Sequence, residues 1–286
     1  LSLNATDMDL DIVDQVPAEV ATPGATTAPA LTLYEIVRKL PDGSDIEFES
    51  ADDGEMTLRS GRSRFTLTCL PTDDFPVMSG GDMGHSFSVP AAEIRGLVDR
   101  TRFAISTEET RYYLNGIYLH AAESGGIAML RAVATDGHRL ALVDTPLPDG
   151  AANMPGVIVP RKAINELRKL IDETADDIVV SLSETKIRFE FDDAVMSSKL
   201  IDGTFPEYQR VIPEGNDKVM EVEAKTFAQA VDRVSTISTE KSRSVKLGLA
   251  NGLATLIATS PDNGSATEEL AVIYESDDME IGFNSR

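Results

Sequence analysis

The sequence predicts an α+β fold built from tandem copies of one domain, on three observations. A strand–turn–strand signature recurs along the chain, matching segments are separated by a near-constant offset, and single amphipathic helices alternate with groups of short strands.

The signature is clearest at Val133 to Leu140. Ile127 to Ala134 reads as an almost wholly apolar strand and Leu140-Ala141-Leu142-Val143 as its partner, so Asp136-Gly137 falls where a hairpin needs positive φ. Thr135 and Asp136 can bond back to nearby backbone N–H groups. One altered copy runs from Leu1 to Asp7 and on into Met8, Leu10 and Ile12, which alternate with Asp9 and Asp11. Another runs from Leu256 to Asp262 and on to Leu270-Ala271-Val272-Ile273. Thr6, Thr135 and Thr259 lie a domain's length apart, too far for a solenoid repeat.

The first unit continues through a Pro/Ala/Thr-rich loop, Val16 to Pro29, to a helix with Leu33, Ile36, Val37 and Leu40 on one face. Pro41-Asp42-Gly43 ends that helix. Three short strands follow at Ile46–Glu49, Met56–Arg59 and Arg64–Thr68, and Ser79 to Gly84 reads as a linker. The second unit repeats this plan. Thr6 and Thr135 differ by 129 positions, and Leu70/Leu200 and Phe75-Pro76/Phe205-Pro206 by 130. A helix over Arg161–Ile171, with Ala163, Ile164, Leu167 and Ile171 inward, falls at the matching offset. The front of the second unit is echoed by the third: Phe87-Ser88-Val89 before a helix with Ile94, Leu97 and Val98 matches Met220-Glu221-Val222 before Phe227 and Val231. Ile105-Ser106-Thr107-Glu108 is then matched by Ile237-Ser238-Thr239-Glu240. The expected domains are 1–84, 85–214 and 215–286. Because the chain opens in mid-strand and stops just after a strand, the first and third are expected to be truncated parts of a longer protein.

Composition limits the function. Of 286 residues 42% are apolar and 26% charged, as in a globular protein with ample core. No run of about 18 apolar residues and no signal-peptide pattern occurs, so a cytoplasmic location is expected. The net charge of −22 argues against a nucleic-acid binder that works by bulk attraction; contact with DNA requires a segregated basic surface or some other means of being held there. Cys69 is the single cysteine, a half-buried strand residue in expectation, so no intrachain disulfide or cysteine-based metal site can form. His85, His120 and His138 lack metal-ligand spacing, and no phosphate-cradling Gly-rich loop is present. His138 beside Asp136 could suggest acid–base chemistry, but the related turns at Asp7 and Asp262 keep the scaffold without the histidine. No catalytic residue, metal or cofactor is expected.

Cations cluster on the helices: Arg38 and Lys39; Arg95, Arg100 and Arg102; Arg161, Lys162, Arg168 and Lys169; Lys225 and Arg233. They read either as solvated helix surface, with cations favoured at helix C-termini, or as a segregated basic face. Arg111-Tyr112-Tyr113 could contact phosphate and stack on an unpaired base, or could be ordinary strand aromatics.

Tyr112-Tyr113-Leu114-Asn115-Gly116, Ala134 to Leu140, Val159-Pro160-Arg161-Lys162 and Asp202 to Tyr208, in this order, resemble the bacterial sliding clamp family, the beta subunit of the replicative DNA polymerase. The resemblance covers essentially the whole chain, less the family's start and its C-terminal end. It implies clamp domains whose helices line a hole, with antiparallel sheets outside, and a non-catalytic processivity factor that encircles duplex DNA without reading sequence. The implied DNA-contacting residues are Arg38, Arg95, Arg100, Arg102, Arg111, Tyr112, Tyr113, Arg161, Lys162, Arg168 and Lys169. An apolar groove for peptide tails of polymerases, the clamp loader and repair proteins is implied at Leu114, Thr135, Gly137, His138, Arg139, Leu140, Pro206, Arg210 and Val211. A head-to-tail homodimer is implied through Phe65 and Leu67 of one copy and Thr236 and Ile237 of the next. The reading from a different class is an acidic multi-domain adaptor that binds peptides but not DNA.

Overall fold

Strand periodicity and turn chemistry become antiparallel sheets. The computed structural model describes residues 1–50, 54–76, 78, 82–172, 176–238 and 243–285. The chain divides into two units, Leu1–Pro206 and Glu207–Arg286.

In the first unit the hairpin β1 (Ser2–Thr6) and β2 (Leu10–Gln15) precedes helix α1 (Ala30–Val37) and strands β3 (Glu47–Ser50), β4 (Glu55–Ser60) and β5 (Ser63–Thr68). Next come β6 (His85–Pro90), α2 (Ala91–Thr101), β7 (Gly116–Ser124), β8 (Ile127–Thr135), β9 (Leu140–Pro146), β10 (Val157–Pro160) and α3 (Arg161–Ile171). The unit closes with β11 (Asp177–Leu182), β12 (Lys186–Glu190) and β13 (Ala194–Lys199). Among the described residues the sheets of this unit are ordered β1-β2-β13-β12-β11-β6, β10-β7-β8-β9 and β3-β4-β5. The N-terminal hairpin is thus sheet-paired far along the chain, with Leu10 to Asp14 opposite Ser198 to Ala194.

The main core forms where α2 and α3 turn their apolar faces onto these sheets. Ile94, Leu97 and Val98 of α2 and Ala163, Ile164, Leu167 and Ile171 of α3 are buried with Phe87, Val89, Leu130, Val159, Ile178, Val180 and Phe189. The α3 face is the one its i, i+3, i+4 spacing predicts, and α3 has the predicted bounds. Gly116 permits the tight join of β7 to β10: a Cβ there would lie 2.2 Å from the carbonyl oxygen of Val159.

Two sequence expectations are corrected. Helix α1 buries none of its residues: Leu33, Ile36 and Leu40 are half-buried and Val37 is exposed. Eight residues make a stripe too short to cover a core, and Leu31 and Tyr34 also face solvent. Met220-Glu221-Val222 makes only a single bridge, Glu221 with Ile273, instead of a strand. Of the expected linker, residues 82–84 carry no regular structure, while 79–81 and the repeat positions Thr239 and Glu240 lie outside the described residues. Cys69 is half-buried just after β5.

The second unit contains α4 (Ala224–Ser235) and β14 (Ser244–Ala250), β15 (Leu253–Ser260), β16 (Gly264–Ala271) and β17 (Met279–Asn284), in sheet order β16-β15-β14-β17. Ala230 and Val234 of α4 are buried against Val245, Leu247, Leu249, Leu256 and Tyr274. Phe227 and Val231 pack at the margin of that core. Glu223 caps α4, accepting from the backbone N–H groups of Lys225 at 2.9 Å and Thr226 at 2.5 Å.

Leu167→Ala is expected to cost about 2–5 kcal/mol in urea unfolding, since fully buried side chains leave cavities. Gly116→Ala is expected to cost about 1–3 kcal/mol through overpacking against the β10 backbone. The Glu223 carboxyl is held below its ordinary 4.5, first by the Thr226 side-chain bond and then by the two N–H groups. Its stabilisation is present above that value and disappears as pH falls through the lowered one. Glu223→Gln is therefore expected to lower the melting temperature of the second unit at neutral pH, with the deficit vanishing as the pH falls below 4.5 and through the lowered carboxyl value.

Candidate functional site

The buried stripes of α2 and α3 leave their polar faces to solvent, and the cations expected there are present. Many are paired. Arg168 sits at the junction, its Nε 2.7 Å from Asp99 Oδ1 and its Nη1 2.6 Å from Asp172 Oδ1. Arg102 approaches the same Asp99 oxygen at 3.5 Å and Arg95 approaches Asp172 at 3.8 Å. Arg95 also donates to the carbonyl of Ile171 at 3.0 Å, closing the end of α3 onto α2. The bonds to Asp99 and then Asp172 strengthen the proton's hold on Arg168, and the Arg168 guanidinium keeps the Asp172 carboxyl below its ordinary range. Lys169 pairs with Glu166 one turn back, Arg38 and Lys39 with Glu35, and Lys162 with Asp7 of the N-terminal hairpin. Arg100 and Arg161 are exposed and make no ion pair among the described residues. Sequence spacing alone points to Asp99–Arg102 and Arg168–Asp172 as neighbours on a helix. The cross-helix Asp99–Arg168 bond carries no sequence signal.

Tyr112 and Tyr113 lie on a short 3₁₀ turn, Glu109–Leu114, and not in a strand. Their rings meet edge to face with centroids 5.8 Å apart; Tyr112 is exposed. Tyr112 borders an open depression with Asn115, Arg161, Lys162 and Asn165, so an aromatic face and two cations from α3 share one surface. Gly203 packs beneath both tyrosines, where a Cβ would lie 3.1 Å from Tyr113 Cβ. Phe205 stacks on Tyr118 at 4.9 Å, and Tyr118 on His120 at 4.6 Å, which fixes the 201–206 segment beside the turn. Burial holds His120 below the ordinary histidine value.

Arg111 joins this turn to the β8–β9 hairpin. Glu108 grips its guanidinium at 2.8 and 2.7 Å, keeping the Glu108 carboxyl low and the arginine more firmly protonated. The guanidinium lies against Gly137, where a Cβ would come within 2.5 Å of Nη1. Gly137 is thus needed twice, for that approach and for its φ of 87°. Thr135 Oγ1 accepts from Gly137 N, and Asp136 Oδ1 accepts from His138 N and Arg139 N, each at about 3 Å. Burial raises the Asp136 carboxyl, but those two N–H bonds and the Arg139 guanidinium outweigh it and leave it low. The N-terminal turn repeats this pattern: Thr6 accepts from Met8 N and Asp7 from Asp9 N and Leu10 N, with Met8 at a φ of 73°. The third turn departs from it. There Ser260, in the place of Asp136, accepts from Asp262 N and Asn263 N, while Thr259 faces solvent.

Of the expected groove residues of the first unit, Thr135, Gly137, His138, Arg139 and Leu140 belong to this hairpin. Leu114 is buried at the end of the 3₁₀ turn, Leu140 and Thr135 are half-buried, and His138, Arg139 and Pro206 are exposed. In the second unit Arg210 pairs with Glu207 at 2.5 Å and Val211 is exposed. Of the expected dimer residues, Phe65 is half-buried on β5, an edge strand among the described residues, whereas Leu67 is buried within its own unit. Thr236 is exposed and Ile237 half-buried after α4. Among the described residues no group of three His, Cys, Asp or Glu side chains could hold a metal, and no helix is long and apolar enough to cross a membrane.

Three family descriptions of the DNA polymerase III beta subunit match the chain: the N-terminal domain at residues 1–79, the central domain at 88–207 and the C-terminal domain at 209–286. The beta sliding clamp of Caulobacter vibrioides is 53% identical over 287 residues, covering all of this chain and 77% of that protein. The beta sliding clamp of Escherichia coli K12 is 39% identical, covering 99% and 76%. A crystal structure of a DnaN sliding clamp from Bartonella birtlesii bound to griselimycin superposes with a TM-score of 0.95 at 52% identity, covering 99% of this chain and 76% of that one. With matches to all three domains and identity along its whole length, the chain belongs to the family of DNA polymerase III beta subunits, the beta sliding clamps.

Proposed function

We propose that this protein is a DNA sliding clamp that confers processivity on the replicative DNA polymerase. It encircles duplex DNA, binds short peptide motifs of polymerases, the clamp loader and repair proteins, and performs no catalysis. The observation that carries this is the 53% identity to a beta sliding clamp along the entire chain, over all three domains. A ring dimer and a cytoplasmic setting belong to the same reading, with domains at 1–84, 85–214 and 215–286.

The site roles follow from chemistry. The cations of α2 and α3, Arg95, Arg100, Arg102, Arg161, Lys162, Arg168 and Lys169, together with Arg38, face the phosphates. Contacts of this kind hold DNA without reading bases and so permit sliding. Arg111, Tyr112 and Tyr113 meet the strand where a base is unpaired, and the shared surface of Tyr112 with Arg161 and Lys162 supports this. Peptide tails dock on the hairpin side of the first unit, at Leu114, Thr135, Gly137, His138, Arg139, Leu140 and Pro206, an apolar floor with a polar rim. Arg210 and Val211 of the second unit keep the peptide-binding role that the resemblance gives them. Phe65, with Leu67 behind it, meets Thr236 and Ile237 of a second copy.

Retention on circular DNA is expected to be lost when the circle is cut; equal retention on both forms would replace encirclement by simple affinity and favour a peptide-binding adaptor. Leu140→Ala is expected to weaken binding of a polymerase-derived peptide by about tenfold, roughly 1.4 kcal/mol, measured by calorimetry, with the melting temperature little changed.

A further inference from the structure

We infer that Asp99 and Asp172 set how tightly the protein holds DNA, by occupying arginines on the helix face that meets the phosphates. This rests on the reading that the polar faces of α2 and α3 are turned to DNA. Three guanidiniums, Arg95, Arg102 and Arg168, stand over the seam between the two helices, and two carboxylates stand among them. Arg168 is engaged by both carboxylates at once and has the least exposed side chain of the five, at 19%. It is the strand-facing cation least able to reach a phosphate.

The arrangement has two consequences of opposite sign. The carboxylates lock α2 to α3 and keep the long arginine side chains from searching solvent, which lowers the entropy they lose on binding. They also cancel two of three charges, so a phosphate arriving at the seam must compete with a carboxylate already in place. A clamp has no need of strong affinity if topology retains it, and a strongly cationic seam would slow its movement along DNA. The structure assigns Asp99 and Asp172 as residues that attenuate grip while preserving the helix face, and the paired Lys169–Glu166 and Lys162–Asp7 extend the same device outward.

The test measures binding of the protein to a fluorescent linear duplex by anisotropy across a salt series. Variants are Asp172→Asn, Asp99→Asn with Asp172→Asn, and Asp172→Glu; Asp172 is exposed, so its single substitution leaves packing intact. Arg100→Glu with Arg161→Glu, which touches cations outside the seam, reports on the facing of the helices. The double Asn variant is expected to bind tighter, with a log–log salt slope steeper by about 1–2, the contribution of one or two gained phosphate contacts. Asp172→Asn should give part of that change and Asp172→Glu none. An unchanged slope in the double Asn variant, while Arg100→Glu with Arg161→Glu weakens binding, overturns the attenuation and leaves the facing of the helices standing. Weaker binding by the double Asn variant also overturns it, since the carboxylates would then be orienting the arginines toward DNA. If none of the variants alters binding, the helices do not face DNA and both readings fall.

Discussion

The packing of α2 and α3 onto the sheets of the first unit is the constraint on which the rest depends. Leu97, Val98, Ile164, Leu167 and Ile171 lose nearly all solvent contact, and a helix that buries one stripe has no freedom in where it points the other. The positions of Arg95, Asp99, Arg100, Arg168 and Lys169 on the open side are therefore consequences of the core. A change that loosened the core would blur the polar face as well, because the ion pairs across the seam require both helices in fixed rotation.

A second constraint ties the aromatic turn to the hairpin. Arg111 is held by Glu108 and pressed against Gly137, so the segment carrying Tyr112 and Tyr113 and the turn carrying His138 and Arg139 share one strut. The surface assigned to DNA and the surface assigned to peptides are consequently built on one piece of scaffold. The hairpin itself owes nothing to catalysis. Its aspartate and threonine bond backbone N–H groups of the turn, with the second Asp136 oxygen on the Arg139 guanidinium, and the N-terminal copy makes the same backbone bonds with Met8 in the glycine position. Met8 accepts a φ of 73° there because the three bonds over-determine the turn, whereas at Gly137 the approaching guanidinium leaves no room for a side chain.

The charge of −22 and a DNA-associated function are compatible once charge is considered locally. Acidic side chains on strands and loops keep the protein soluble and weaken attraction to DNA from other sides. Even on the cationic helices, carboxylates are interleaved with the guanidiniums. Retention by encirclement requires only that the contacting face be mildly positive, and on the proposed reading the pairing across the α2–α3 seam fits that requirement.

Much was legible in the chain before any coordinates. Periodicity located α3 to the residue, because a strongly amphipathic stripe bounded by Pro160 leaves little choice of start or face. The hairpin at Asp136-Gly137 was legible because its turn chemistry is local. The 129- and 130-residue offsets gave the tandem plan, and four ordered motifs gave the family. Local reasoning failed where burial is shared among distant segments: α1 has a helical stripe but too little length to cover a core, and Met220-Glu221-Val222 has strand residues but only one bridge partner. It failed too in the third turn, where Ser260, and not Asp262, takes the place of Asp136. Only the tertiary structure decided that β2 pairs with β13, that Arg111 lies against Gly137 and that Asp99 reaches across to Arg168. Each of these joins residues tens to nearly two hundred positions apart, and a sequence period of two or 3.6 residues carries no information at that range.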